Sequence, residues 1–593
     1  MCVPILTDEL KLATNVSAAM DRVRSLYAQV WDTPWALSHE DLQHLTTMEG
    51  RQLQKEVLKQ VEVSREHLTQ MLRKAATVER RAEIKRTRQA ILDLLFMHNA
   101  AAKIHAKLPN ELLQAVFAYI SPTHRRHIHA THVCRIWRVF IRQHVPAYWA
   151  DFLSAPKMYA ARKADESPFL LDLIGRSHPL THGLSLTSKQ VGFLPPDAQP
   201  FSRVSSLTLR VRLHHITAVN RFLTLSMPSL EHLNMRFVCQ SDFPNMPRLT
   251  DNNLDCSHRF PLLRHVTVSA VFLPFSIAVK SITRLELLDC PDDCQYHLAT
   301  EVRPWHTDDF VAWIRRCPDL EYLKISHSAP DDIIGEEIVK PALHLPKLRE
   351  CVIEDEDGEY AYKMLQALTF PPHTHLTFLT RTSRMEDCFP TETLKDSLHA
   401  LDRLVLTVTR EDQPELPWPC FYLQGYVEGT ERLSVIVEDA CLTYNGSEQC
   451  SEVLRDFAAL FADSRNVTSL DVQLPEDLHG HEDDWSAVLD GFPLLRTLSV
   501  DGDFPRELLA SLRRPHACLD LTELRIPSVD WSAERDAVLP ILQSRRKSGK
   551  PLVLVGTGPP GQGGSTTSDA FIPEADLGLL KELGILVPQR TRL

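Results

Sequence analysis

The pattern of apolar and polar residues changes along the chain near residue 180. Residues 40–105 contain no proline and a single glycine, and apolar side chains recur at helical spacing, as at Leu53, Val57 and Val61. Such spacing places apolar side chains on one face of a helix. Beyond residue 180 the pattern is a short apolar triplet, which is typical of strands. The sequence therefore predicts a helical N-terminal third and a strand-rich remainder.

The triplet has the form Leu-x-x-Leu-x-Leu, with Ile, Val or Met allowed at its ends. Its copies are centred on Leu207, Leu233, Val266, Leu285, Leu323, Cys351, Leu404, Leu470, Leu498 and Leu524. The distance between centres varies, so the repeat is degenerate. Each copy predicts one strand with an apolar face.

A proline stands two positions ahead of the triplet in several copies, namely Pro228, Pro261, Pro318, Pro346 and Pro493. Proline cannot continue a helix and it favours extended backbone before it. Helical apolar spacing occurs between copies, as in residues 310–316 and 453–461. Each unit is thus predicted to be a helix, a proline turn and a short strand.

Such a unit has one apolar face that it cannot cover alone, and stacking on its neighbours buries that face. The pattern resembles the leucine-rich repeat and covers residues 180–555. The predicted fold is an α/β solenoid, an irregular leucine-rich-repeat-like array with parallel strands and outer helices, preceded by an all-α region. A doubly wound α/β enzyme would also alternate helices and strands, but it would not explain the recurrent proline-leucine phrase.

A distinct motif precedes the array. The run from Leu108 to Ile120 opens with Leu-Pro-x-Glu-Leu-Leu-x-x-Val-Phe and spaces its apolar residues as one helix face. It is followed by Val-Cys-Arg-x-Trp-Arg at residues 133–138 and by Pro-x-x-Trp-x-x-Phe at residues 146–152. A piece of this size cannot bury its own apolar faces well, so it is expected to complete its core against something else.

In the order and spacing of these three elements the chain resembles the F-box family. The layout is similar to that of F-box proteins of mushroom-forming fungi, which often carry a coiled helix just upstream. The stretch 124–127, His-Arg-Arg-His, departs from the family's usual acidic and leucine residues. The resemblance implies docking onto the Skp-family adaptor of a cullin-RING ubiquitin ligase. It assigns the adaptor contacts to Leu108, Pro109, Leu112, Leu113, Val116, Phe117, Val133, Cys134 and Trp137.

These patterns divide the chain into five parts. They are an N-terminal helical, coiled-coil-like region (1–105), the F-box-like segment (106–153), a linker (154–179), the array (180–555) and a flexible Gly/Pro loop with a C-terminal helical cap (556–593).

Composition narrows the class of protein. A hydrophobic fraction of 44% excludes wholesale disorder, and a formal net charge of −12 argues against a general nucleic-acid binder. No apolar run reaches the roughly 18 residues of a membrane span. The 13 cysteines are odd in number and scattered, which favours reduced thiols. We therefore expect a cytoplasmic or nuclear protein with no membrane partner.

Three segments contain residue types that could form a chemical site. The glycine-rich run 556–565 follows a predicted strand but lacks the Gly-Lys-Ser/Thr ending of a phosphate loop. Cys290, Cys294 and His297 offer three zinc ligands without a fourth at finger spacing. The acidic run 354–359 lacks the alternating spacing of a calcium loop. We predict no catalytic residue, no metal and no cofactor.

The expected role is therefore that of a non-enzymatic substrate receptor, whose repeats hold a client protein. Period-two alternation sends the residue between the last two apolar positions of each triplet to the opposite face. Among these outward positions, Glu286, Lys324 and Arg525 are the predicted client contacts. The rival interpretation is a protein-interaction scaffold that recruits no ligase, and a weaker one is an α/β enzyme.

Overall fold

A computed structural model of the chain describes about two thirds of the F-box-like segment and most of the repeat strands. The described residues are 44–45, 48, 50–73, 77–100, 108–120, 135–155, 167–194, 199–212, 215–237, 258–269, 280–288, 307–326, 343–355, 362, 364–380, 391–410, 419–437, 449–462, 464–474, 481–501, 506–514, 518–527, 531–557 and 578. Two compact units are present. The first comprises Met1–Arg210 and His215–Leu230, and the second comprises Val211–His214 and Glu231–Leu593.

The first unit begins with an antiparallel pair of helices, α1 (Gly50–Leu72) and α2 (Val78–Ala100). The side-chain amide of Gln54 donates to the carbonyl of His98 at 3.2 Å, and the imidazole of His67 lies 3.6 Å from the carboxylate of Glu83. These two contacts join the start of α1 to the end of α2 and the end of α1 to the start of α2. We refer to the pair as the helical hairpin.

The other described residues of the first unit are mostly helical and include one pair of parallel strands, β1 and β2. Its elements are α3 (Asn110–Tyr119), α4 (Arg135–His144), α5 (Pro146–Ser154), α6 (Ser167–Arg176), β1 (His182–Thr187), α7 (Ser188–Val191), β2 (Val204–Val211) and α8 (Ile216–Leu223).

The described residues of the stretch 154–179, which was expected to be a linker, include helix α6. Leu173 and Ile174 are buried, and the guanidinium of Arg203 donates to the carbonyls of Ile174 and Leu180, both at 2.8 Å. Helix α5 packs against β1, where the hydroxyl of Ser154 accepts from the backbone N–H of Gly183 at 2.8 Å. Residues Ser167–Arg176 of this stretch therefore form a helix with buried apolar side chains.

The second unit consists of short strands with helices in their connections. Its strands are β3 (His232–Phe237), β4 (His265–Ser269), β5 (Arg284–Leu288), β6 (Tyr322–Ser326), β7 (Leu343–His344), β8 (Glu350–Asp355), β9 (Leu368–Thr369), β10 (His375–Thr380), β11 (Arg403–Arg410), β12 (Pro419–Val427), β13 (Thr430–Val437), β14 (Ser469–Gln473), β15 (Thr497–Asp501), β16 (Glu523–Pro527) and β17 (Val553–Thr557). Its helices are α9 (Thr307–Ile314), α10 (Thr391–His399), α11 (Gln449–Leu460), α12 (Glu482–Gly491), α13 (Arg506–Leu512) and α14 (Trp531–Lys547).

Within this unit the strands of the main sheet follow the order β3-β4-β5-β6-β8-β10-β13-β12-β11-β14-β15-β16-β17. Strand β12 runs antiparallel to β11 and β13, and the other strand pairs described in this sheet are parallel. Strands β7 and β9 form a separate two-stranded parallel pair. A mostly parallel sheet with helices in its connections agrees with the predicted class, and β12 is the exception to it.

The exception is a three-stranded meander, β11-β12-β13, inserted in reverse order. Strand β10 pairs with β13 and not with β11, which follows it in the chain. The β12–β13 connection is a two-residue turn, in which Glu428 and Gly429 have φ values of 50° and 76°. Positive φ at both central residues is the signature of the type I′ turn that suits the twist of a hairpin.

The apolar triplets form continuous buried rows across the sheet. The central leucines Leu323, Leu404 and Leu498 belong to one such row. All three have no exposed surface. The period-two alternation of the strands therefore predicts this core correctly, since every second residue faces it.

The recurrent prolines occupy one structural position. Each is the second residue of a β-turn, and in each turn the carbonyl of the first residue accepts from the N–H of the fourth. The five pairs are Met227–Leu230, Phe260–Leu263, Cys317–Leu320, Leu345–Leu348 and Phe492–Leu495, at 3.0–3.2 Å. Proline fits this position because its fixed φ matches the turn. The first and fourth residues of every turn are buried, so the turn fastens the strand to the core.

Gly425 lies in a buried row of the meander where a methyl group has no room. A Cβ there would lie 2.8 Å from Cδ1 of Leu401 and 3.1 Å from Cβ of Leu433. We expect Gly425→Ala to lower the free energy of unfolding by about 1–3 kcal/mol through overpacking. Chemical denaturation measures this change.

Gly175 provides the control for that substitution. It lies exposed in α6, and a Cβ there meets nothing within 4 Å. Gly175→Ala is expected to raise stability by roughly 0.5–1 kcal/mol, because alanine is the better helix former. Equal effects of the two substitutions would contradict the close approach at Gly425.

No helix in the part of the chain that the structure describes is both long enough and apolar enough to cross a membrane.

Candidate functional site

Helix α3 presents apolar residues on two adjacent sides. It begins after Pro109, whose carbonyl accepts from the N–H of Leu113 at 3.1 Å. Leu113 and Phe117 face inward and are buried. Their neighbours Leu112 and Val116 point outward and are 52% and 49% exposed. One helix therefore anchors itself in the core and still offers apolar surface.

The outward side continues to the end of the helix. We call Leu112, Val116, Tyr119 and Ile120 the exposed stripe, and all four are exposed large hydrophobic residues. Pro109 is exposed as well, and Leu108 is half-buried. A contiguous apolar strip on a surface indicates an interaction site, because water contact is unfavourable for such side chains.

Trp137 of α4 occupies the inner side. Its ring meets Phe117 edge to face, with centroids 4.9 Å apart and planes at 74°. Phe117 also lies 6.0 Å from the ring of Phe140. Trp137 is half-buried and packs against the apolar cluster of the helical hairpin. Edge-to-face aromatic pairs of this kind stabilise a core.

The structure thus separates the predicted adaptor contacts. Leu112 and Val116 are free for a partner, whereas Leu113 and Phe117 are instead buried in the chain's own core. Val133 and Cys134 lie outside the described residues.

The third element of the motif is structural. In α5, the indole N–H of Trp149 donates to the carbonyl of Ile141 at 2.9 Å, and the rings of Tyr148 and Phe152 lie against it. Burial raises the pKa of Tyr148 to about 12. Helix α5 therefore packs against α4. Its side chains at these three positions are buried and leave no apolar surface for a partner.

A second candidate surface lies on the main sheet of the second unit. The outward positions predicted from the repeats are direct neighbours in the strand pairing and form one row, which we call the sheet row. In order across the sheet it contains Asn234, Thr267, Glu286, Lys324, Val352, Thr377, Ser434, Gln424, Val405, Asp471, Ser499 and Arg525.

The sequence missed Thr377, Ser434 and Gln424, which the meander and β10 add to this row. Strands β12 and β13 lack the triplet, because a hairpin needs only period-two alternation. That alternation, flanking Glu428-Gly429, was the signal that could have revealed them.

The three predicted client contacts are not gathered at one point. Glu286 and Lys324 are neighbours on β5 and β6, whereas Arg525 lies on β16, far along the row. Each is held by a charge of its own chain. The pairs are Glu286 with Arg284 at 2.7 Å, Lys324 with Glu354 at 2.5 Å and Arg525 with Glu523 at 2.8 Å.

Other side chains on this face are paired in the same way. The guanidinium of Arg284 stacks over Tyr322 at 3.7 Å, and Arg403 pairs with Asp471 at 2.6 Å. The hydrogen bond from Arg525 to Glu523 raises the pKa of the arginine. Partial burial, with His232 and Arg284 nearby, lowers the pKa of His265. On the described part of this face, the charged side chains named above are therefore paired with opposite charges of the same chain.

Within the described ranges, no group of three or more His, Cys, Asp or Glu side chains could hold a metal ion. The candidate ligands Cys290, Cys294 and His297 lie outside those ranges. So does most of the glycine-rich run 556–565.

The comparison with known proteins finds one domain family in the first unit. A sequence model of the F-box domain matches residues 106–146, which include all of α3 and α4. Among solved structures, the chain is similar to the leucine-rich repeat-containing protein LegL7 from Legionella pneumophila, with 13% identity and a TM-score of 0.23. The match covers 67% of this chain and 98% of that one. No curated protein matches.

Proposed function

We propose that this protein is the substrate-recognition subunit of an SCF-type cullin-RING ubiquitin ligase. Its F-box-like segment docks onto a Skp-family adaptor, and its repeats, an α/β solenoid of the leucine-rich type, bind the client protein. The observation that carries the proposal is the coincidence of the F-box match at residues 106–146 with the exposed Leu112 and Val116.

The energetics favour α3 as the docking element. Burying one Leu or Val side chain contributes about 1.5–3 kcal/mol, so the four residues of the exposed stripe could supply the core of a small interface. The buried Leu113 and Phe117 hold the helix in place beforehand. A preordered helix loses little conformational entropy on binding, which improves affinity.

The chain itself need not perform chemistry in this role. Proteins with an F-box and leucine-rich repeats typically act as adaptors and not as enzymes. Here the adaptor and cullin would bring the ubiquitin-transfer machinery to a client held on the repeats. The contribution to rate is then proximity and orientation.

The second candidate function is a protein-interaction scaffold without ligase recruitment. It is favoured by the internal packing of Leu113, Phe117 and Trp137, which the resemblance had assigned to the adaptor. Affinity purification of the full chain from its native cell, probed for the adaptor and the cullin, decides between the two. If the protein is a ligase subunit, both the adaptor and the cullin should co-purify with it. If neither co-purifies, the result favours the scaffold function.

A charge-reversal variant tests client binding by the sheet row. We expect the triple variant Glu286→Lys, Lys324→Glu and Arg525→Glu to slow client turnover in cells several-fold, because each change also repels its former ion-pair partner. Adaptor binding should stay unchanged. Quantitative proteomics after translation arrest measures the turnover.

The matched control exchanges the two charges of one ion pair, Lys324 with Glu354. In Lys324→Glu combined with Glu354→Lys, the ion pair can re-form while both charges exchange places. If the pair merely shapes the sheet, this swap leaves turnover normal. If turnover in the folded triple variant equals that of the wild type, the client binds elsewhere on the repeats.

A further inference from the structure

We propose that the helical hairpin is a permanent partner of the F-box-like segment. It covers the Trp137 side of that segment, so that an adaptor meets the exposed stripe alone. The part that concerns the adaptor rests on the function proposed above. The part that concerns the hairpin does not.

The hairpin has a closed apolar interior. Buried side chains from both helices form one cluster together with Leu45, which precedes α1. The members from α1 and α2 are Leu53, Val57, Val61, Ile91, Leu94 and Met97. The contacts of Gln54 with His98 and of His67 with Glu83 hold the two ends of the hairpin together. The hairpin is therefore a preformed apolar element.

This interior extends to the F-box-like segment through one side chain. Trp137 packs against the hairpin cluster, and helix α2 contacts helix α4. On its other edge the same indole meets Phe117, which is buried. The chain of contacts thus runs from the hairpin through Trp137 to the inner side of α3.

The contact with the hairpin gives the short F-box-like segment apolar surface that it lacks by itself. A few helices of ten residues bury too little apolar surface to hold a fixed core alone. The hairpin provides additional apolar surface at Trp137, which packs on the buried side of α3. Consequently α3 can present Leu112 and Val116 in an ordered helix before any adaptor arrives.

The helices of the hairpin contain a matched pair of variants. Val57 and Ile91 are buried in the cluster, whereas their chain neighbours Leu58 and Leu92 are 49% and 55% exposed. The core variant is Val57→Asp with Ile91→Asp. The control variant, Leu58→Asp with Leu92→Asp, introduces the same charges on the same two helices.

The experiment is hydrogen exchange of the full chain, with and without a purified Skp-family adaptor. Without adaptor, the core variant should exchange the amides of α3 and α4 at least tenfold faster than the wild type. The control variant should match the wild type. Amides of β14 to β16 should be unaffected in both, which shows that the second unit remains folded. A milder variant, Leu94→Ala, should give a smaller increase in α3 and α4.

Hydrogen exchange measured with added adaptor tests whether the hairpin stays packed against the F-box-like segment. Adaptor should slow exchange in α3 of the wild type and leave α1 and α2 unchanged, and the core variant should bind it about tenfold more weakly. Faster exchange in α1 and α2 on adding adaptor would overturn the proposal, because the hairpin would then be a displaced competitor. Unchanged exchange of α3 and α4 in the core variant would also overturn it. If the wild type binds no adaptor, the ligase function fails, while the adaptor-free arm still decides the role of the hairpin.

Discussion

Replacing Leu112 and Val116 together with aspartate is expected to weaken adaptor binding at least a hundredfold. Both side chains are half exposed on α3, and an interface would bury them. Apolar anchors at the centre of small interfaces each contribute about 2 kcal/mol or more, and each 1.4 kcal/mol is a tenfold change in affinity. Calorimetry with purified adaptor measures the loss.

The same substitutions should not unfold the protein, because neither side chain is part of the core. The control is Leu58→Asp with Leu72→Asp, which places two charges on exposed leucines of α1. This control should bind adaptor like the wild type. Full affinity in the Leu112 and Val116 variant would show that the exposed stripe is not the docking surface.

Truncation of a central leucine of the sheet should have the largest effect on stability. Leu323, Leu404 and Leu498 have no exposed surface and lie in one row across the strands. We expect each replacement by alanine to lower the free energy of unfolding by about 2–5 kcal/mol, through lost burial and the cavity that remains. Denaturant titration of the full chain measures the change.

The neighbouring residues supply the comparison. Ser499 follows Leu498 and belongs to the sheet row on the opposite face. Ser499→Ala should change stability by less than about 0.5 kcal/mol, as is usual for surface substitutions. A small effect at all three leucines would mean that the row is not a continuous core.

Local periodicity explains why much of the sheet could be predicted. A strand exposes alternate residues on opposite faces, so the triplet around Leu323 was enough to place Lys324 outward. The proline phrase was informative too. Pro318 and its equivalents lie inside a β-turn, in agreement with the proline turn predicted ahead of each strand.

The meander could not be predicted in the same way. The triplet at Leu401, Leu404 and Leu406 looks like any other copy of the repeat. Which strand pairs with β10 depends on contacts between residues far apart in the chain, and no local pattern encodes that choice. The same holds for Gly425, whose close approach to Leu401 arises only once the hairpin has folded.

The F-box-like segment shows a similar limit. Spacing alone placed Leu112, Leu113, Val116 and Phe117 on one apolar face, and it could not tell which side of that face the chain itself covers. The side that the chain covers is determined by Trp137 and by the helical hairpin, which lies earlier in the chain and packs against Trp137.

The reversed order of the meander also has a consequence for synthesis of the protein. Strand β10 finds its second neighbour only when Thr430–Val437 has left the ribosome, after the whole of β11 and β12. Throughout that interval the nascent sheet ends in β10, with one row of backbone hydrogen-bonding groups without its native partner. Open strand edges of this kind invite pairing with other chains. Translation of residues 381–429 is therefore an interval in which the open edge of β10 is available to other chains.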